Sequence, residues 1–213
     1  MRLRVTFSKN GPLAYTSHLD LARAWERSLR RAGVGLAYSG GFNPRPKLQL
    51  AAALPLGHTG EAELLDVWLE RPMPMEEFSR VLVPVLPDGL TISQVCQVRL
   101  SEPALQAQVK AAEYRVSVEW DETAPQVAAR IEQLLAATEL PRERRGKRYD
   151  LRPLVERAWL EEATSGSEVV LGMQLAARPG ATARPEAVLK ALGMGEAFAR
   201  YHRRRLILKT LKI

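Results

Sequence analysis

Phe42, Asn43, Arg45 and Lys47 stand together on the stretch Ser39-Gly40-Gly41-Phe42-Asn43-Pro44-Arg45-Pro46-Lys47. An aromatic ring can stack on a base, an amide can hydrogen-bond a base edge, and two cations can meet phosphates. The glycines permit a tight or left-handed backbone, and the prolines then stiffen it. A turn that only connects two elements needs the glycines but not this set of side chains. The competing reading is a rigid turn that tucks Phe42 into the core and leaves the charges in water.

A basic helix precedes the loop. Ser17 suits its N-cap, and Asp20 sits in the first turn, where a carboxylate favours the positive end of the dipole. Leu21, Ala22, Trp25, Leu29 and Ala32 form one apolar stripe. Arg23, Arg27, Arg30 and Arg31 occupy the remaining surface. Asp20–Arg23 and Glu26–Arg30 have the spacing of helical ion pairs, so two or three arginines stay available to a polyanion. His18, at the start of this helix, is the candidate catalytic residue: as a general base it would deprotonate a ribose 2′-hydroxyl while a cation stabilises the developing charge. Its alternative role is to hydrogen-bond a neighbour or cap the helix.

Further along, Arg142-Glu143-Arg144-Arg145-Gly146-Lys147-Arg148 concentrates cations around a glycine and reads as a hairpin tip. Arg144, Arg145, Lys147 and Arg148 join Arg23, Arg27, Arg30, Arg31, Phe42, Asn43, Arg45 and Lys47 as candidate RNA-binding residues. Arg203-Arg204-Arg205 falls in a strand, where alternation prevents the three from sharing one face. Glu61, Glu63 and Asp66 read as an acidic, solvated strand edge. No P-loop or dinucleotide fingerprint is present, and no metal-ligand spacing appears, so neither cofactor nor metal is expected. His18 and Asp20, two apart on a helix, point in different directions.

Charge is segregated along the chain. The net value is +7, but residues 1–50 carry nine Lys/Arg against two Asp/Glu, while residues 51–100 carry three against seven. Residues 151–213 return to eleven against six. Such segregation points to basic surfaces rather than a uniform coat, with nucleic acid as the first class of partner and an acidic protein as the second. Cys96 is the single cysteine, which excludes a disulfide framework within the chain and a thiolate cluster. The absence of an apolar signal region, of a membrane-length apolar run and of paired cysteines leads to the expectation of a cytoplasmic protein.

The elements needed to position these residues follow from periodicity. Leu3, Val5 and Phe7 alternate with Arg2, Arg4 and Thr6 as a half-buried strand. After the basic helix come a short extended piece at Leu36–Ser39, the loop, and strands at Leu48–Leu54 and Glu63–Glu70. Pro74 opens a helix that Pro84 ends, and Leu90–Val98 is a strand with a phase break near Gln94. The pattern then recurs. Tyr114 to Trp120 alternates, Thr123 and Gln126 spell a capping box, extended segments follow, Pro185 starts a helix that Gly193 ends, and Arg200–Leu208 closes as a strand. The fold expected is α+β: two tandem ferredoxin-like β-α-β-β-α-β units with antiparallel sheets, covering residues 1–104 and 105–213.

The motifs Tyr15-Thr16-Ser17-His18-Leu19-Asp20-Leu21, Arg30-Arg31-Ala32-Gly33, Gly41-Phe42-Asn43-Pro44-Arg45-Pro46-Lys47 and Leu54-Pro55-Leu56-Gly57 resemble those of the bacterial radical SAM-linked protein family, a domain of unknown function. Asp150-Leu151-Arg152-Pro153-Leu154 extends the resemblance to the second half. It implies a companion to a radical SAM enzyme that acts on RNA. With one cysteine, the chain lacks the three-cysteine set of such an enzyme. A looser likeness, at the level of fold, is to the repeat-processing endoribonucleases of CRISPR systems. The function expected is that of a non-catalytic accessory protein that binds RNA or an RNA–protein surface. Its alternatives are a metal-independent endoribonuclease using His18, and an interaction module for an acidic protein.

Overall fold

The computed structural model describes residues 1–144, 146–163 and 168–209. The chain divides into two compact units, 1–109 and 110–213. Both are α+β with antiparallel strand pairing. Among the described residues no helix is long and apolar enough to cross a membrane.

The first unit runs β1 (Arg2–Lys9), α1 (His18–Arg31), β2 (Leu48–Leu50), β3 (Thr59–Trp68), α2 (Met75–Leu82), β4 (Leu90–Val98) and a single turn of helix, α3 (Leu105–Gln108). Its strands lie in the order β2-β3-β1-β4, so β1 and β2 both pair with the strand between them. The even alternation of β1 sends Leu3, Val5 and Phe7 to one face, where they pack with Leu65 and Val67, with Leu21, Trp25 and Leu29 of α1, and with Phe78 and Leu82 of α2. Phe7 meets Trp25 edge-on, ring centroids 4.9 Å apart. The phase break expected near Gln94 is present: the register of β1 on β4 shifts between Thr6 and Phe7, opposite Gln94 and Ile92. Pro84 stops α2 at Leu82, and one 3-10 turn follows.

Two differences from the sequence expectation have plain causes. Strand β2 ends at Leu50 rather than Leu54, and β3 starts at Thr59 rather than Glu63. The segment Thr59-Gly60-Glu61-Ala62 has no apolar alternation to signal a strand. The acidic residues of β3 also correct the reading of a solvated edge, since Glu63 and Asp66 are buried. Asp66 lies on the sheet face away from α1 and accepts from Arg2 Nε at 2.9 Å and Arg4 Nε at 2.8 Å. Arg2 also donates to the carbonyls of Glu102 and Pro103, and its guanidinium covers the Trp68 ring at 4.8 Å. The polar, alanine-rich connector that follows β4, residues 99–108, is thereby fastened over this face. Its helix adds two ties: Leu105 N–H donates to Gln49 Oε1 at 2.8 Å, and Gln106 Nε2 donates to the Leu50 carbonyl. Residues 105–109 therefore belong to the first compact unit, which moves the division five residues beyond the expected 104/105.

The second unit runs β5 (Val109–Glu119), α4 (Ala124–Ala136), β6 (Pro141–Arg144), β7 (Lys147–Asp150), β8 (Val155–Ala163), β9 (Glu168–Arg178), β10 (Ala181–Thr182), α5 (Pro185–Ala191) and β11 (Ala199–Leu208). β9 pairs with β5 along its length and with β8 and β10 on its other edge, while β11 lies beside β5. The capping box of Thr123 and Gln126 opens α4. β6 and β7 form a separate two-stranded ladder inserted between α4 and β8.

Candidate nucleic-acid interface

The loop after α1 is a hairpin rather than a slack connection. Tyr38 bridges to Pro46, Ser39 N–H donates to the Arg45 carbonyl at 2.8 Å, and Lys47 N–H donates to the Ala37 carbonyl at 2.7 Å. Ser39 Oγ accepts from Arg45 N–H at 3.0 Å, so one serine closes the neck twice. Gly41 turns the tip at φ 105°, a conformation L side chains rarely adopt. On this frame Phe42 is fully exposed, and Asn43 and Arg45 are exposed beside it. The alternative in which Phe42 enters the core is excluded by that geometry.

The last turn of helix α1 meets the same hairpin. Arg30 Nη2 donates to Tyr38 Oη at 3.2 Å, linking the last turn of the helix to the hairpin arm. Arg23 pairs with Asp20 at 3.1 Å and Arg30 with Glu26 at 2.8 Å, as their spacing predicts. Arg27 and Arg31, four apart on one stripe, are exposed and make no ion pair among the described residues. They are the α1 cations without an ion pair, although Arg27 still lies in the field of Asp20. Ser17 caps the helix, and its Oγ both accepts from Asp20 N–H and donates to the Asp20 carboxylate, which with Arg23 holds that carboxyl below its ordinary pKa.

Not every candidate converges. Lys47 immediately precedes β2 and lines a cleft of about 380 Å³ with Arg2, Gln49 and Trp68, on the sheet face opposite α1. His18 is half-buried at the first position of α1, about 18 Å along the axis from Arg30. A catalytic partnership of His18 with the loop cations is therefore not assembled. Its end of the unit holds buried Lys9, His58 and Glu63 instead, and Lys9 Nζ donates to the carbonyls of Ala14 and Thr16. Sequence spacing missed this group because Lys9, at the end of β1, is remote in sequence from His58 and Glu63 at β3. Among the described residues, no three His, Cys, Asp or Glu side chains converge in a way that could hold a metal ion.

In the second unit the cationic stretch forms the β6–β7 ladder, turned by Gly146 at φ 74°. Cross-strand partners share a face, so Arg142, Arg144, Lys147 and Tyr149 lie on one side, and Glu143 and Arg148 on the other. Arg148 is thus separated from Arg144 and Lys147, while Arg142, outside the expected set, is on their side. Arg145 lies outside the described residues. The triple arginine of β11 is spent internally: Arg203 is buried, Arg204 pairs with Glu161 at 2.8 Å, and Arg205 with Glu113 at 2.8 Å.

The chain belongs to a bacterial family, matching over residues 2–185 the one described as "uncharacterized protein conserved in bacteria (DUF2344)". No curated protein matches it. Among solved structures it is similar to a chain of a Cbf5–Nop10–Gar1 complex, with a TM-score of 0.54 and 12% identity over 96% of this chain and 48% of that one. The chain thus spans about half the length of that relative, and the likeness is one of fold alone. It is also similar to the small subunit of acetolactate synthase from Thermotoga maritima, at 8% identity over 99% of this chain and 98% of that one, with a TM-score of 0.29, too low to carry an argument.

Proposed function

We propose that this protein is a non-catalytic accessory factor that binds RNA and supports a radical SAM partner enzyme in the cytoplasm. The observation that carries the RNA reading is the presentation of Phe42. A fully exposed ring at the tip of a hydrogen-bonded hairpin is ready to stack on an unpaired base. Arg27 and Arg31 would meet the phosphates on either side, and Asn43 would read the base edge. The partner is suggested by the resemblance of the motifs around His18, Phe42 and Gly57 to radical SAM-linked proteins. In the same reading, each unit is a ferredoxin-like β-α-β-β-α-β plan; the β6–β7 hairpin interrupts the second, and the strand order of the first supports it.

The test is binding of total cellular RNA by the purified protein across a salt series. Tight binding that weakens steeply with salt is expected. Phe42→Ala should cost about 1–3 kcal/mol of affinity for single strands and leave the melting temperature unchanged. Absence of binding at low salt would remove RNA as the ligand and leave an acidic protein as the target of the basic face. RNA cleavage that His18→Ala abolishes while binding persists would make the protein an endoribonuclease.

A further inference from the structure

The second unit carries a cleft of about 380 Å³ between the β6–β7 hairpin and the β9–β10 turn at Gly180. Arg144 and Lys147 form one wall, with Tyr149, Asp150 and Thr182 around them. We infer that this cleft holds one nucleotide of a single-stranded RNA, with its phosphate on Arg144 and Lys147 and its base against Tyr149. The inference rests on the RNA-binding reading above and adds a second, separate contact to it.

The argument begins with a mismatch in the ladder. Arg144 lies directly opposite Lys147, and like charges in that position destabilise a strand pair. On the other face the neighbouring pair, Glu143 opposite Arg148, is complementary. Among the described residues neither Arg144 nor Lys147 makes an ion pair, so two cations face the cleft without compensation. An anion seated between them turns the repulsion into two charge-assisted contacts.

Tyr149 gives the cleft its second property, since it shares the face of Arg144 and Lys147 and can carry a base on its ring. Asp150 pairs with Pro141 on the other face, where its Oδ1 accepts from Leu140 N–H at 2.7 Å and Arg152 N–H at 2.9 Å and fixes the base of the hairpin. The volume lies in the range of small-ligand clefts.

The experiment compares binding of a short labelled oligoadenylate RNA by the full chain and two variants. Lys147→Glu should weaken RNA binding by about tenfold or more, and its melting temperature should stay level or rise, because Glu opposite Arg144 completes the ladder. A residue needed only for folding would move both readouts down together. Unchanged RNA affinity in Lys147→Glu overturns the assignment. If Phe42→Ala loses affinity and Lys147→Glu does not, the cleft is wrong and the loop stands; the opposite pattern keeps the cleft and removes the loop. No RNA binding by the wild type removes both.

Discussion

Asp66 and Phe42 are the two side chains of the first unit whose surroundings say most about it. Asp66 is fully buried and bridges Arg2 and Arg4, an arrangement in which each charge depends on the others. Desolvation works against the Arg4 cation, but the hydrogen bond and charge of Asp66 more than offset it and hold its pKa above the ordinary value. Asp66→Ala should destabilise the protein by about 3–5 kcal/mol, because it strands two guanidiniums on a covered face. Urea unfolding of wild type and variant measures that difference; a change below 1 kcal/mol would show that water reaches the pair. The alternation of β1 marked Arg2 and Arg4 as outward-facing, and in the ladder they do face away from the core. The connector that covers them was invisible to local pattern, since polar, alanine-rich sequence gives no hint of what it lies upon. Cys96, on the same face, has its thiol pushed up by burial, so it is a poor nucleophile at neutral pH.

At the scale of elements, helix α1 was the most legible part of the chain. Its cap, its core stripe and both ion pairs follow from residue types at spacings of three and four, which is local information. Ser17→Ala should cost about 1 kcal/mol by removing the cap to Asp20 N–H. The Asp20 carboxyl, held low first by the Ser17 hydrogen bond and then by Arg23, makes part of that stability dependent on pH. A depressed folded-state pKa contributes above the unfolded value and is lost as pH falls through the folded one. The gap between wild type and Ser17→Ala should therefore be full at neutral pH and narrow below pH 3.8, as thermal melts across that range would record. The loop after the helix was half legible: glycine and proline announced a turn, but only the pairing of Ser39 with Arg45 decides that Phe42 points to solvent. The sharing of a face by Arg144 and Lys147 depends on register across Gly146, which composition does not contain.

At the scale of the whole molecule, the basic character seen in the sequence divides into spent and available charge. Arg204 and Arg205 of β11 and the Arg2–Arg4 pair are consumed by carboxylates, whereas Arg27, Arg31, Arg144 and Lys147 make no ion pair among the described residues. Counting cations along the chain could not make this separation, because the neutralising carboxylates are remote in sequence. If Arg27 and Arg31 each neutralise one phosphate, Arg27→Glu with Arg31→Glu should flatten the dependence of log affinity on log salt by about 1.4 for a single strand. An unchanged slope would take α1 out of the contact. Finally, the fastening of residues 102–108 by Arg2, Gln49 and Leu50 bears on how the chain meets a protease. A nonspecific protease needs several residues of free backbone, and this polar connector, for all its linker-like composition, has little to offer. The first nick should fall at the exposed turn beside Gly146, giving fragments split within the second unit rather than two whole halves, as a time course on a denaturing gel would reveal.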